Sequence, residues 1–364
     1  MLQQNGRIRR NLLSAVGLLA IAAYVTTAPL DAQMNSPIAT LKAPADVQPG
    51  SITFDEVPYP YPVSYLPLTV YGQDVRMAYM DVAPAGSPNG RTVLLFHGAN
   101  FGGFYFGGPI EALRKEGFRV IVPDQIGWGR SSKPVIPYSF TDLARNSRAL
   151  VTSLGITKVA VVGHSMGGML AARFAAIYPD ITERVVLYNP IGLTDARYDS
   201  TDGARFNGRL RSVDESYKAA MAMTHDQLYQ AAAATIHRYF ATSPWKPEYE
   251  TLVRIMYAPE ISADWPRLAK VRALWGQMII NDPVVYDWPH IKVKALVLGG
   301  DKDGPDFPKL ARHIADTIPG AQLVLIPGSG HVPHMEVPEV FNRELLKFLK
   351  SDPPAASQGS GGGR

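Results

Sequence analysis

The segment from Val159 to Leu170 constrains the fold of this chain more than any other. A short apolar run, typical of a buried strand, ends in Gly-His-Ser-Met-Gly around Ser165, and an apolar helical pattern follows directly. Gly163 and Gly167 lie two residues to either side of the serine, where a strand and a helix that meet in a sharp turn leave no room for a Cβ atom. The pattern therefore predicts a strand–turn–helix unit that exposes a serine hydroxyl beside the positively polarised start of a helix.

Apolar strand patterns alternate with helical patterns on both sides of this unit. Strands are predicted near 92–96 and 118–122 before it, and near 184–188, 294–298 and 322–326 after it. Strands that alternate with helices are typical of βαβ units and a parallel sheet. In such a sheet, ligands bind in loops at the carboxyl ends of the strands.

Several of these strands end in loops with side chains suited to acid–base or nucleophilic chemistry. His97-Gly98 and Asp124 follow the first two strands, Asp301 and Asp303 follow the strand near 294–298, and His331 and His334 follow the last strand. A serine, an acid and a histidine thus occur in that order, each after a strand. We expect the three to meet at one edge of the sheet, because the carboxyl ends of parallel strands lie together.

The stretch between the predicted strands near 184–188 and 294–298 is different. Four helices are predicted between 212 and 280, with a capping-box sequence at Thr224 and no strand pattern. A helical block inserted between two strands of a parallel sheet is an excursion above it, and such a block can cover a site as a lid.

The first 32 residues resemble a targeting segment rather than a part of the folded domain. A basic start with Arg7, Arg9 and Arg10 precedes an apolar run over 12–25 and small or polar residues before Gln33. This is the pattern of a secretory signal peptide, so we expect a periplasmic or secreted protein. The alternative is an uncleaved membrane anchor, and membrane association is expected only in that case. The choice between the general and the twin-arginine export routes stays open.

Composition excludes several functions. The chain has 364 residues, a formal charge of +4 and no cysteine, which rules out disulfides and a cysteine nucleophile. There is no clustered basic face, so we expect no nucleic acid as a partner. His331 and His334 are spaced like a metal pair but have no third ligand at a suitable spacing, so we expect no metal and no cofactor. The expected partner is a small-molecule substrate, and the oligomeric state is not readable.

Taken together, the motifs resemble the α/β-hydrolase superfamily, in the branch with a helical cap after the sixth strand. The resemblance implies an α/β fold in which a mostly parallel, twisted sheet is flanked by helices and carries an all-helical cap insertion. The expected organisation, in chain order, is a signal peptide over 1–32, a Pro-rich N-terminal arm over 33–63, the first half of the hydrolase core over 64–195, the helical cap over 196–290, the second half of the core over 291–350 and a disordered tail over 351–364.

The resemblance also implies roles for individual residues. Ser165 is expected to be the nucleophile, His331 the base that takes its proton, and Asp303 the acid that orients the imidazole. The oxyanion hole is expected to consist of the backbone N–H groups of Ala99 and Met166. Because the turn between the strand and the helix carries a serine, the implied route passes through an acyl-enzyme.

Some alternatives stay open at this point. Asp301 competes with Asp303 for the role of acid, and His334 competes with His331 on spacing. A carboxylic ester or lactone is the expected substrate class. A hydrolase of C–C bonds, an aminopeptidase and a non-catalytic binding protein of the same fold are the alternatives.

Overall fold

The computed structural model describes residues 37–198 and 212–351. The predicted signal peptide and residues 352–364 of the predicted tail lie outside these ranges. Within them, no helix combines the length and the apolar character needed to cross a membrane.

The described residues contain one eight-stranded sheet. Its strands are, in chain order, β1 (Val63–Val70), β2 (Gln73–Val82), β3 (Thr92–Phe96), β4 (Arg119–Pro123), β5 (Val159–His164), β6 (Thr182–Tyr188), β7 (Lys294–Gly300) and β8 (Gln322–Ile326). Their spatial order is β1-β2-β4-β3-β5-β6-β7-β8. The first two pairs, β1 with β2 and β2 with β4, are antiparallel, and every later pair is parallel. The mostly parallel sheet predicted from the sequence is confirmed.

Strand β5 lies in the interior of the sheet, between β3 and β6. All six of its residues are buried. A strand covered on both faces has no solvent side, which explains why its first four residues are all apolar and do not alternate with polar ones. The strand therefore places the segment that follows it at the centre of the carboxyl edge.

Helices cover both faces of the sheet. The described helices are α1 (Gly107–Lys115), α2 (Phe140–Ser153), α3 (Met166–Ile177), α4 (Val213–Met221), α5 (His225–Tyr239), α6 (Pro247–Tyr257), α7 (Trp265–Asn281), α8 (Phe307–Thr317), α9 (Pro333–Glu336) and α10 (Pro338–Lys350). Side chains of α1 and α10 share one apolar core with one face of the sheet, and side chains of α2, α3 and α8 share a second core with the other face. This layering buries both sides of the sheet, as parallel strands require.

Two details differ from the patterns in the sequence. A helix is predicted to begin at Ile110, but α1 begins at Gly107, after a 3-10 turn over Gly103–Phe106. The glycines suggest a loop, yet Pro109 fits the first turn of a helix, where its missing N–H is not needed. The short helix α9 was not predicted, because four residues are too few for a periodic signal.

Helices α4 to α7 form the helical insertion between β6 and β7. The capping box expected at Thr224 is confirmed, since its hydroxyl accepts from the Gln227 N–H while the Gln227 side chain accepts from the Thr224 N–H. A second capping box joins Ser212 to Glu215. Side chains of α5 and α6 extend the core that also holds α1 and α10, so the insertion packs onto the sheet domain.

The arm before β1 contacts both the insertion and the sheet domain. The Ala43 N–H donates to the Asp226 carboxylate over 2.9 Å, at the start of α5. The Gly50 N–H donates to the carbonyl of Ala258 over 2.9 Å, just after α6. Further along the arm, the Tyr59 hydroxyl donates to the Asp124 carboxylate of the loop after β4 over 2.6 Å.

Candidate active site

Ser165 lies at the junction of β5 and α3, as the strand–turn–helix pattern predicts. Strand β5 ends at His164 and α3 begins at Met166, so the serine alone forms the turn. Its backbone has φ of 56° and ψ of −119°, a left-handed conformation that is strained for a residue with a Cβ. A Cβ atom at Gly163 would overlap the carbonyl group of Gly167, which is the physical reason for this glycine in the motif.

Ser165, His331 and Asp303 are hydrogen-bonded in series. The Ser165 Oγ lies 3.1 Å from the Nε2 of His331. The Nδ1 of the same imidazole lies 2.9 Å from both carboxylate oxygens of Asp303. A proton can pass from the hydroxyl to the imidazole in this arrangement, while the carboxylate orients the ring and stabilises its charged form.

The carboxyl edge of the sheet brings the three side chains together. Ser165 follows β5, Asp303 lies in the loop after β7, and His331 lies in the loop after β8. Asp301 takes a different place, since its Oδ1 accepts the Gly328 N–H over 2.7 Å and so joins the two loops. The structure thus places Asp303, and not Asp301, against the imidazole.

Asn189 also holds the Asp303 carboxylate. Its Nδ2 donates to Asp303 Oδ2 over 2.9 Å and to the carbonyl oxygen of Gly330 over 3.0 Å. The residue is fully buried and its φ is +42°, a conformation that asparagine tolerates better than most residues. The sequence offered no signal for this contact beyond the position of Asn189 directly after β6.

The two backbone N–H groups proposed from the sequence belong to residues beside the serine turn, Met166 directly after it and Ala99 next to Gly98. Met166 is the first residue of α3, where the helix leaves N–H groups unsatisfied. Gly98 packs against Ser165, since a Cβ atom added there would lie 3.2 Å from the serine Cβ. The Gly98 N–H is taken by the Tyr105 hydroxyl oxygen over 2.9 Å. The Ala99 and Met166 N–H groups have no hydrogen-bond acceptor among residues 37–198 and 212–351.

Two buried histidines border this site as neutral rings. His164 accepts from or donates to the Tyr105 hydroxyl at 2.7 Å, and its Nε2 lies 2.8 Å from the carbonyl oxygen of His331. Burial lowers the pKa of His164 well below its ordinary value, with a further decrease from the neighbouring imidazoles of His331 and His334. Burial also lowers the pKa of His97, whose Nε2 accepts the Gln125 N–H over 3.0 Å.

His334, the competitor of His331 in the sequence, does not face the serine hydroxyl. Its ring is buried among Tyr105, Phe106, Tyr188 and Phe341. Burial lowers its pKa to about 3, so the ring is neutral in the folded protein. No group of three histidine, aspartate or glutamate side chains that could hold a metal ion occurs in the two described ranges.

Asp124 supports the loop after β4 from beneath. Its carboxylate accepts from the Gly103 N–H over 2.6 Å, from the Arg130 N–H over 2.7 Å and from the Tyr59 hydroxyl. These contacts hold two backbone segments, at Gly103 and Arg130, and the side chain of Tyr59. None of these hydrogen bonds joins Asp124 to Ser165 or His331, so this acid lies outside the hydrogen-bonded series.

The end of α5 covers the imidazole. The ring of Tyr239 stacks on the ring of His331, with centroids 4.7 Å apart and an angle of 26° between the planes. Asn100, in the loop after β3, donates from Nδ2 to the Tyr239 hydroxyl over 2.8 Å. Ser165 is 4% exposed and His331 is 3% exposed, so the site is closed in this conformation. Neither Asn100 nor Tyr239 was singled out from the sequence, because the contact joins residues far apart in the chain.

Comparisons with known proteins agree with this geometry. A model of the Alpha/beta hydrolase family matches residues 93–344. The crystal structure of a probable hydrolytic enzyme from Pseudomonas aeruginosa PAO1 is similar with a TM-score of 0.75 and 36% identity, covering 84% of this chain and 99% of that one.

Two curated relatives are also similar over most of their length. An uncharacterized protein of Mycobacterium tuberculosis is 30% identical over 280 residues, which cover 74% of this chain and 78% of the relative. Lipase 1 of Psychrobacter immobilis is 28% identical over 268 residues, which cover 72% and 76%, respectively. Since the family model spans more than half of the sequence, the chain belongs to the alpha/beta hydrolase family.

Proposed function

We propose that the protein is a serine hydrolase that cleaves a carboxylic ester or lactone of a small substrate through an acyl-enzyme. The observation that carries the proposal is the hydrogen-bonded series from Ser165 Oγ through His331 to the carboxylate of Asp303. Membership of a hydrolase family supports the reaction class. The relative named as a lipase supports an ester as the substrate.

In the proposed first half-reaction, His331 Nε2 takes the proton of Ser165 as Oγ attacks the substrate carbonyl carbon. The Ala99 and Met166 N–H groups donate to the resulting oxyanion, and each such donor typically lowers the barrier by about 3 kcal/mol. His331 then gives its proton to the leaving alcohol, or to the ring oxygen of a lactone, and the acyl group stays on Oγ.

The second half-reaction repeats these steps with water as the nucleophile. His331 takes a proton from water as its oxygen attacks the acyl carbon, and the proton returns to Ser165 Oγ when the acid leaves. Asp303 stays ionised in both halves and holds Nδ1, which fixes the tautomer that presents Nε2 to the serine. The same three residues would also serve a C–C bond hydrolase or an aminopeptidase. Assays with different substrates are therefore needed to identify the bond that is cleaved.

A fluorophosphonate probe tests the nucleophile. Wild-type protein and the control Ser64→Ala, which alters an exposed serine of β1, are expected to label equally, and Ser165→Ala is expected to take no label. A wild-type protein without label contradicts the proposal and favours a binding protein of the same fold. Turnover of p-nitrophenyl esters, lactones and amino-acid anilides then tests the ester and lactone assignment, and preferential cleavage of anilides contradicts it.

We further propose that the chain is exported to the periplasm or secreted, on the strength of the basic, apolar and small-residue regions within 1–32. N-terminal sequencing of protein from the producing cell tests this. The expected first residue lies near Gln33, whereas an intact Met1 in the membrane fraction would support an anchor instead.

A further inference from the structure

The carboxylate of Glu336 accepts hydrogen bonds from the backbone on both sides of His331. Its Oε2 accepts the Gly330 N–H over 2.9 Å, and its Oε1 accepts the Val332 N–H over 3.1 Å. These two residues are the direct neighbours of His331 in the chain. One side chain therefore determines the path of the backbone that carries the imidazole.

The same carboxylate also binds the helical insertion. Thr242 donates its hydroxyl to Glu336 Oε2 over 2.5 Å, and Ser243 donates to the same oxygen over 3.3 Å. Both residues lie in the connection between α5 and α6. This connection begins directly after the helix end that places Tyr239 on the imidazole ring. The insertion thus contacts His331 in two ways, by stacking on its ring and through the carboxylate that holds its backbone.

The position of this connection matters for access, since Ser165 and His331 are almost fully covered. Thr242 is exposed and Ser243 is half-buried, so the contact with Glu336 lies at the outer rim of the site. A substrate that enters from this side has to displace the end of α5, and the hydroxyls of Thr242 and Ser243 then leave the carboxylate.

We propose that Glu336 is a positioning residue for His331. Its carboxylate couples the hydrogen bonds of Thr242 and Ser243 to the orientation of the imidazole. The inference rests on the proposed function of Ser165 and His331. With the connection seated, the hydroxyls of Thr242 and Ser243 and the N–H groups of Gly330 and Val332 hold the carboxylate. With the connection displaced, the N–H contacts alone remain and the His331 loop is held less firmly.

A carboxylate suits this place better than the amide of the same shape. All four partners are donors, and an ionised carboxylate has acceptor sites on both oxygens. Glutamine would turn an NH₂ group toward at least one of these donors and leave it unsatisfied. Glu336→Gln therefore disturbs the coupling with little change in volume, and Glu339→Gln, on the exposed start of α10, is the matched control.

The test measures kcat and KM on a p-nitrophenyl ester, with kcat expressed per active site from end-point fluorophosphonate labelling. This normalisation removes any fraction that is unfolded. We expect Glu336→Gln to lower kcat at least tenfold with KM changed less than threefold, and to slow the rate of labelling in parallel. Glu339→Gln is expected to behave as wild type.

A second variant keeps the proposal testable if Glu336→Gln does not accumulate as folded protein. Thr242→Val with Ser243→Ala removes only the two hydroxyls. This double variant is expected to lower kcat per site about threefold to tenfold, because each lost hydrogen bond weakens the attachment of the connection to the Glu336 carboxylate. Thr251→Val on α6 is its control. Wild-type kcat per site in either Glu336→Gln or the double variant overturns the proposal. A wild-type protein that takes no label contradicts the proposed function instead.

Discussion

The Nε2 of His164 lies 2.8 Å from the carbonyl oxygen of His331 and donates to it, because a carbonyl can only accept. The neutral ring then accepts at Nδ1 from the Tyr105 hydroxyl, whose oxygen accepts the Gly98 N–H. One series of hydrogen bonds thus connects the loop of Gly98 and Ala99 to the backbone of His331. It passes through the residue directly before Ser165.

Removing this connection should lower turnover without abolishing it. His164→Phe loses both hydrogen bonds in aromatic surroundings, and two buried hydrogen bonds correspond to a fall in kcat of about 10- to 100-fold. Tyr105→Phe keeps the His331 contact and should give a smaller fall. Steady-state kinetics per labelled site checks both values. Wild-type kcat in His164→Phe would show that the contact has no part in positioning.

Substitution by asparagine should affect kcat very differently at the two candidate acids, Asp303 and Asp301. Asp303→Asn removes the acceptor that fixes the His331 tautomer, and we expect kcat to fall by about 10⁴. Asp301→Asn keeps the oxygen that accepts the Gly328 N–H, so kcat should stay near wild type. Kinetics of both variants on one ester, with labelling as a check of folding, is the measurement. Equal losses would mean that the acid is shared or misassigned.

Gly163→Ala should destabilise the fold, because the added methyl group overlaps the Gly167 carbonyl in the tightest part of the turn. We expect a loss of at least about 2 kcal/mol in the free energy of unfolding, measured by urea denaturation. Gly108→Ala in α1 meets open space and is the control, with an expected gain of about 0.5 kcal/mol. A neutral Gly163→Ala would show that the turn can relax.

Stability should fall as the pH decreases below 6.5, the ordinary histidine pKa. Burial lowers the pKa of His334 to about 3 and also lowers the pKa of His97 and His164. Between these values the unfolded chain binds protons that the folded chain does not. For His334 the stabilisation is therefore complete above pH 6.5 and is lost progressively toward pH 3, at up to about 1.4 kcal/mol per pH unit, and His97 and His164 change the stability in the same direction.

Urea denaturation at pH 7.5, 6.0 and 5.0 measures that slope. His334→Gln should make the free energy of unfolding depend less steeply on pH, whatever its absolute cost. The same exchange at the exposed His225 should leave the slope as in wild type. An unchanged slope in His334→Gln would mean that this ring binds protons equally in the folded and the unfolded protein over this range.

The parallel sheet and the helical insertion could be predicted because their signals are local. A continuously apolar strand such as β5, the glycines around Ser165 and the capping box at Thr224 each act within a few residues. The order of Ser165, Asp303 and His331 along the chain also pointed to one edge of the sheet. Their proximity is now visible, while their catalytic roles stay a prediction until labelling and kinetics test them.

The contacts around the site could not be predicted, since they join residues distant in sequence. Glu336 reaches Thr242 across 94 residues, and Asn189 reaches Asp303 across 114. No periodicity encodes such pairs. These contacts depend on the distance between the helical insertion and the sheet domain. They also depend on the side-chain rotamers that the packed structure allows. The sequence could not distinguish Asp301 from Asp303 for the same reason.

The arm suggests which part of the molecule admits a substrate. It is attached to α5 at Asp226, to the end of α6 at Ala258 and to the sheet domain at Asp124. A hinged opening of the whole helical insertion would have to break these attachments together with an apolar core. Retreat of the more exposed part of the connection between α5 and α6, at Thr242 and Ser243, leaves these three attachments in place. We therefore expect substrates to enter and leave past this corner, and we expect its width to limit substrate size.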